Sequence, residues 1–202
     1  MRKRREPSVG DLETAAAETP RPEDHDLVRL FQRTGDPKAF RELLERHLAM
    51  IRRLLYTLLG GQREEMEDAE QEIVLSLFRG LRDFQFRSSF RTYFYGLARN
   101  RGIDHLRRKR SRERTMARAK AGLWSNEPAG PEEQVLRREE TESLLGFFRA
   151  LPPRDRQLIL MKDIDGFSIA EIAEILALPP GTVKSRLHRA QAKLIETAGG
   201  ER

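Results

Sequence analysis

The sequence contains no cysteine. That one absence excludes disulfides, thiol nucleophiles and cysteine-held zinc or iron–sulfur centres. Its four histidines, His25, His47, His105 and His188, match no metal-ligand spacing such as H-E-x-x-H. No P-loop or nucleophile motif occurs either, so no catalytic residue, metal or cofactor is expected and the chain does not read as an enzyme. No run of 18 apolar residues exists, which argues against a membrane-spanning helix or direct membrane insertion. The opening, MRKRREPSVGDLETAAAETPRPED, is charged but has no apolar stretch, so it is not read as a secretory signal. Together these absences lead us to expect a cytoplasmic chain.

What is present is charge. Charged residues make up 35% of the 202 residues and hydrophobic ones 38%. Cores must therefore be thin, and helical units of about 60–80 residues fit better than one thick sandwich. Lysine plus arginine exceed aspartate plus glutamate by 38 to 32. That balance permits nucleic-acid or anionic-membrane contact, and the placement of the charge has to decide.

Residues 1–23 mix proline, alanine, threonine and charge without periodicity and read as a disordered tail. A short helix with Leu27, Val28 and Phe31 on one side follows. Asp36 is the expected N-cap and Pro37 the first residue of a second helix, in which apolar positions from Phe40 to Leu58 recur at steps of three and four up to Gly60-Gly61. A third helix, near residues 64–81, buries Met66, Ala69, Ile73, Val74, Leu77 and Phe78 and opens on the acidic run REEMEDAEQE. A fourth spans about residues 89–110. The pattern breaks from Ser111, and SNEPAGPEE has the composition of a linker, placed at 112–133. Beyond it come a helix holding Leu144, Leu145 and Phe148, another with Leu158, Ile159 and Met161, and two closing helices. Nothing alternates with period two long enough to make a sheet. The expected fold is all-α: two small helical domains joined by a flexible linker.

Three constellations stand out. In FSIAEIAEILALPPGTVKSRLHRAQAKL, Ser168 and Glu171 have capping-box spacing, LPPG forces a turn in which Gly181 allows unusual dihedrals, and Thr182 caps a second helix. Val183, Leu187, Ala190 and Leu194 form the inner side, which leaves Lys184, Ser185, Arg186, His188 and Arg189 facing out. This is the helix-turn-helix pattern, whose second helix enters the major groove; the bland alternative is a solvated αα-hairpin. Second, nine Arg or Lys stand between Arg99 and Arg118 against only Asp104 and Glu113, a density that a polyanion would relieve. Upstream aromatics could stack on unpaired bases; Phe90 and Phe94 read as core, Phe86 as exposed on a polar loop. His105 reads as a polar residue of the stripe, His47 as half-buried. Third, Glu64, Glu65, Glu67, Asp68, Glu70 and Glu72 form an acidic patch that suits docking to a basic protein surface better than metal binding, with a merely solvated face as the alternative.

In combination, DAEQE, ARN…IDHLRR and GTVKSRLHRA, in this order, resemble the extracytoplasmic-function sigma factors, the promoter-specificity subunits of bacterial RNA polymerase. The resemblance runs from about Asp26 to Leu194. It implies that residues 24–111 form sigma region 2 and 134–197 region 4. It implies core RNA polymerase (the β′ coiled coil and the β subunit), promoter DNA and an anti-sigma factor as partners, and no cofactor. Asp68, Gln71 and Glu72 then fall at the polymerase contact. Asn100 falls at −10 recognition, with Arg99, Asp104, Arg107 and Arg108 beside it on the helix and Phe86, Arg87 and Ser88 in the loop that captures a flipped base. Thr182, Lys184, Ser185, Arg186, His188 and Arg189 fall at the −35 element. The chain departs from the family at Phe86 and Arg87, where a glycine and an acid are common, at Tyr93, where tryptophan is common, and at His188 and Gln191. An autonomous helix-turn-helix regulator is the competing reading; it would bind its site tightly without polymerase.

Overall fold

The computed structural model describes residues 23–121 and 151–199, with side chains for 23–116 and 151–196. All regular structure among them is helical: α1 Asp24–Thr34, α2 Pro37–Leu59, α3 Arg63–Gly80, a 3-10 turn Leu81–Asp83, α4 Phe90–Ala121, α5 Pro153–Ile159, a π turn Leu160–Ile164, α6 Ile169–Leu176 and α7 Pro180–Gly199. Most of the expected tail, the rest of the expected linker from residue 122, and the expected helix around Leu144, Leu145 and Phe148 lie outside the described residues.

Local chemistry sets the boundaries. Gly35 ends α1 in the left-handed conformation, at φ 68°. Asp36 then accepts a hydrogen bond from the Lys38 amide at 2.9 Å, with Pro37 at the first helical position. Ser89 Oγ accepts from the Thr92 amide at 3.0 Å at the head of α4. That helix continues ten residues past the expected start of the linker: helix-forming Arg, Ala and Lys run unbroken by Gly or Pro from Ile103 to Ala121.

Helices α2, α3 and α4 pack on one another, and α1 lies across α2 and the 3-10 turn. Their shared core holds Phe31, Leu43, Ile51, Leu54, Ile73, Leu77, Phe90 and Phe94, all nearly or fully buried. At Gly102 α4 passes so near α2 that a Cβ would sit 2.9 Å from Leu58. The C-terminal unit packs α5, α6 and α7 around Leu158, Met161, Phe167, Ile172, Val183 and Leu187. The two units touch: α5 lies against α2, and α6 against α4.

A polar clasp fixes α1. Asp24 Oδ1 lies 3.1 Å from Arg46 Nη1, and Oδ2 lies 2.7 Å from His47 Nε2. The His47 contact, helped by Arg46, holds the Asp24 carboxyl below the usual carboxylate range against the opposing effect of burial. A depressed folded-state value means stabilisation that is complete above the unfolded carboxylate value of about 3.9 and lost as pH falls through the lower folded value. Asp24→Asn should therefore lower stability at pH 7 by on the order of 1 kcal/mol. In urea titrations the gap from the unmodified chain should close as the buffer is taken below the ordinary carboxylate range and through the lowered Asp24 value.

Candidate nucleic-acid interface and docking groove

The C-terminal pair of helices is built as a reading device. Ser168 Oγ accepts from the Glu171 amide at 3.2 Å, and the Ser168 amide donates to Glu171 Oε2 at 2.8 Å, a complete capping box. The turn differs from expectation in two places. The left-handed residue is Ala177, at φ 51°, and Gly181 is already helical. Thr182 is not the cap either: α7 starts at Pro180, and the Pro179 carbonyl accepts from the amides of Thr182 (2.9 Å) and Val183 (3.1 Å). Proline at the first helical position explains both shifts, because its fixed φ suits a helix start and its missing N–H is no loss there.

Val183, Leu187 and Ala190 face inward, while Lys184, Ser185, Arg186, His188 and Arg189 are exposed. Among the described residues, Lys184, Arg186 and His188 have no hydrogen-bond or ion-pair partner, whereas Arg189 Nε donates to the Ser185 carbonyl at 3.2 Å. Further along, the Gln191 amide donates to Asp163 (3.1 Å to Oδ2) and Lys193 pairs with Asp155 at 2.7 Å. The unpartnered basic side chains thus lie in the first turns of α7, and Gln191 and Lys193 further along tie the helix to its own domain.

On α4, Asn100, Asp104, Arg107 and Arg108 are exposed but Arg99 is half-buried, with its Nε enclosed and unpartnered. Burial pushes the Arg99 guanidinium below its usual value. The basic stripe is not uniform. Arg108 pairs with Glu72, Lys109 Nζ with Glu65 at 3.3 Å, and Arg107 weakly with Asp104 at 3.7 Å. His105 is not a polar residue of the stripe: it is buried at 3% exposure, its Nε2 2.6 Å from Glu65 Oε2 and its Nδ1 3.7 Å from Glu72. The acids of α3 that face α4 neutralise part of the stripe. Glu72 therefore faces α4 and is tied to it, while Asp68 and Gln71 are exposed.

The loop before α4 also corrects the sequence reading. Phe86 is half-buried rather than exposed. Its ring sits 5.0 Å from Phe84 and edge-on to His25 at 5.2 Å, with the Arg29 guanidinium 5.4 Å from its centroid. Its φ is 56°, a conformation that costs a bulky side chain roughly 1–2 kcal/mol. Gln32 of α1 holds the strained segment by donating to the Leu81 and Phe84 carbonyls at 3.0 and 2.9 Å. Arg87 is exposed and Ser88 half-buried. Phe84, Phe90 and Phe94 belong to the core, so any base stacking here falls to Phe86 and the half-buried Tyr93.

A groove of about 750 Å³ opens between α2 and α3, with Met66, Val74 and Leu75 as its apolar lining and Gln71 at its edge. Arg52 grips Glu70 across it with two hydrogen bonds, at 2.8 and 2.9 Å. Leu75 is 56% exposed, and Phe78, expected in the core, is 41% exposed, although its ring meets Phe31 and Phe40. The sequence does carry the signal for this second face: Gln71, Leu75 and Phe78 recur at steps of four and three beside the buried Ala69, Ile73 and Leu77. Among the described residues, no cluster of three or more histidine, aspartate or glutamate side chains converges as a metal site. None of their helices is long and apolar enough to cross a membrane.

Comparison with known proteins gives two family matches in chain order: "Sigma-70 region 2" over residues 43–112 and "Sigma-70, region 4" over 141–194. The ECF RNA polymerase sigma factor SigW of Bacillus subtilis is 33% identical over 168 residues, which is 79% of this chain and 89% of that protein. Among solved structures, CnrH in complex with the cytosolic domain of CnrY aligns with a TM-score of 0.63 at 22% identity, covering 89% of this chain and 99% of that one. The sigma factor RpoE of Bartonella quintana, in complex with the anti-sigma factor NepR, aligns at 0.61 and 24%, covering 82% and 99%. These two likenesses concern the fold.

Proposed function

The chain belongs to the extracytoplasmic-function RNA polymerase sigma factors of the sigma-70 family, and from that premise we propose how its surfaces divide the work of promoter recognition. It is a transcription initiation factor, not an enzyme: it binds core RNA polymerase and directs it to −35/−10 promoters. Family membership sets aside the autonomous regulator. In our reading, residues 24–111 act as region 2, with α4 carried on to Ala121, and residues 134–197 act as region 4.

We assign −35 reading to the first turns of α7, through Lys184, Ser185, Arg186 and His188, with Arg189 and Thr182 supporting. The observation that carries this is the exposed, unpartnered cations directly after a capped turn, where side chains of a groove-entering helix meet base edges. The −10 element falls to Asn100, Asp104, Arg107 and Arg108 on α4, with Arg99 behind them, and to the Phe86-Arg87-Ser88 loop. The β′ coiled coil of the polymerase is assigned to α3, where Gln71 lines the groove, Asp68 is exposed and Glu72 braces α4. The β subunit and a cytoplasmic location follow the family pattern. An anti-sigma factor is proposed as the regulator, in keeping with the partner named for the Bartonella quintana relative.

Run-off transcription with purified core polymerase tests the whole reading. A start-site-specific transcript only when both components are present supports it; its absence, with tight promoter binding by the chain alone, refutes it. Within that assay Arg186→Ala should cost about 1–3 kcal/mol of −35 discrimination, the range of a good bidentate base contact. Base-by-base substitution of the −35 element should show the loss at one position; an unchanged profile would remove Arg186 from the reading set.

A further inference from the structure

Helix α4 outruns the core it helps to build. Among the described residues its last buried side chain is His105, and its last tertiary ties are those of Lys109, to Glu65 at 3.3 Å and to the Gln62 side chain. Every side chain from Arg110 to Met116 is exposed. The helix nevertheless runs on to Ala121, about 18 Å beyond Lys109 at roughly 1.5 Å per residue. Between Arg110 and Lys120 five basic residues stand against Glu113 alone, and the only apolar ones are Met116, Ala117 and Ala119. A helix that is polar all round has no face to bury against a protein core. Arg108 and Arg112, Arg110 and Arg114, and Arg114 and Arg118 are each four apart, a spacing at which like charges repel across one turn. Arg110, Arg112 and Arg114 have no hydrogen-bond or ion-pair partner among the described residues.

This charge prolongs the face that carries the −10 candidates. Asn100, Asp104, Arg107, Ser111 and Arg114 alternate steps of four and three, the spacing of one helical stripe, and all are exposed. Arg110, nearly one turn beyond Arg107, borders that stripe. From Asn100 to Arg114 it is about 21 Å long, the length of roughly six base pairs of duplex. The Phe86-Arg87-Ser88 loop lies at the other end of the helix, ahead of Phe90. On the assignment above that loop holds an unpaired base, so the separated strands lie at the N-terminal end of α4. Its C-terminal end then points along intact duplex. Duplex DNA carries one phosphate charge per about 1.7 Å of axis, a density that matches an array of free arginines.

We propose that the projecting end of α4, through Arg110 and Arg114, is a phosphate arm for the double-stranded DNA immediately upstream of the −10 element, and that it binds without regard to base sequence. This rests on the −10 assignment of α4. The arm's work is positional. Phosphate contacts fix the register and tilt of a helix on DNA but carry no sequence information, so the arm sets where along the duplex Asn100 meets its bases.

The test uses the full-length chain with core polymerase and two fork probes made from the promoter that run-off transcription identifies. Both carry the −10 element with its non-template strand unpaired. One has about ten base pairs of spacer duplex upstream, a full helical turn, and the other ends at the upstream edge of the element. Affinity is measured by fluorescence anisotropy over a series of salt concentrations. On the long probe, the double variant Arg110→Ala, Arg114→Ala should make the plot of log K against log salt shallower by about 1.8, at roughly 0.9 per phosphate contact. On the short probe parent and variant should coincide, and exchanging the spacer sequence should change nothing. Alanine favours helix and both side chains are exposed, so the fold is kept. Equal slopes on the long probe overturn the proposal, as does an equal loss on both probes. A loss of affinity for core polymerase without DNA overturns it too, by placing the arginines on an acidic protein surface. Scrambling the −10 element tests the underlying assignment by itself: a parent chain indifferent to it refutes the −10 reading, while the slopes on the long probe still decide the arm.

Discussion

Leu75→Arg should weaken association with core polymerase by about 2–4 kcal/mol, a thirtyfold to thousandfold loss, while leaving the helical fold intact. Leu75 is more than half exposed, so its removal empties no core, and it lies beside Met66, Val74 and Gln71 in the groove between α2 and α3. An exposed apolar side chain on the wall of a groove is the pattern of an interface anchor. Arginine there would add a third cation beside Arg52 and Arg63 and place charge where a partner must exclude water. Fluorescence anisotropy of the labelled chain titrated with core polymerase gives the affinity, and run-off transcription should fall in step. An unchanged affinity would move the docking surface off this groove. Glu72 is a poorer probe of the same contact, because its substitution would also release Arg108 and unsettle His105 on α4.

Phe94→Ala should remove about 3–5 kcal/mol of stability, enough to leave much of a small domain unfolded at 37 °C. Phe94 is fully buried, packs 5.7 Å from Phe90, and sits where α4 crosses the core of the N-terminal unit. Its truncation leaves a cavity that flanking helices, held by their own turns, cannot close. Urea unfolding followed by circular dichroism reads the effect. A loss below about 1.5 kcal/mol would mean that the site collapses around the gap.

The parts of the fold legible in the sequence were those governed by neighbours in the chain. Asp36-Pro37 capped α2 as expected, and Ser168 and Glu171 formed their reciprocal pair, since both depend on residues within one turn. The all-helical class followed from period-3.6 patterning. What escaped the sequence depends on tertiary placement. The Arg53–Asp165 pair joins residues 112 positions apart, and no local pattern announces it. His105 looked like one more polar residue of a basic stripe until α3 placed Glu65 and Glu72 against it. Phe86 sat on a polar loop, yet α1 supplied His25, Arg29 and Gln32 to hold that loop against the core. At the candidate interfaces the outward face of α7 could be read directly, because an inner apolar face fixes its opposite. The outward apolar residues of α3 leave a periodic trace too, but Phe78 fits two helical faces at once, and its pattern alone places it in the core.

The facing charges of α3 and α4 have a consequence for how this protein responds to ionic strength. A lysine or arginine that stands free in solution meets a phosphate by expelling a condensed counterion, and each such meeting steepens the salt dependence of DNA affinity. Arg108 and Lys109 already hold carboxylates. To turn to a phosphate they must first leave those carboxylates, and the freed carboxylates attract cations back, which offsets part of the counterion release at that position. The salt sensitivity of the α4 contact should therefore be shallower than its tally of basic residues suggests, and carried by cations such as Arg101 and Arg110, which have no carboxylate partner among the described residues. On the proposed −10 assignment, DNA binding through α4 should hold over a wider range of salt than its basic stripe alone would allow.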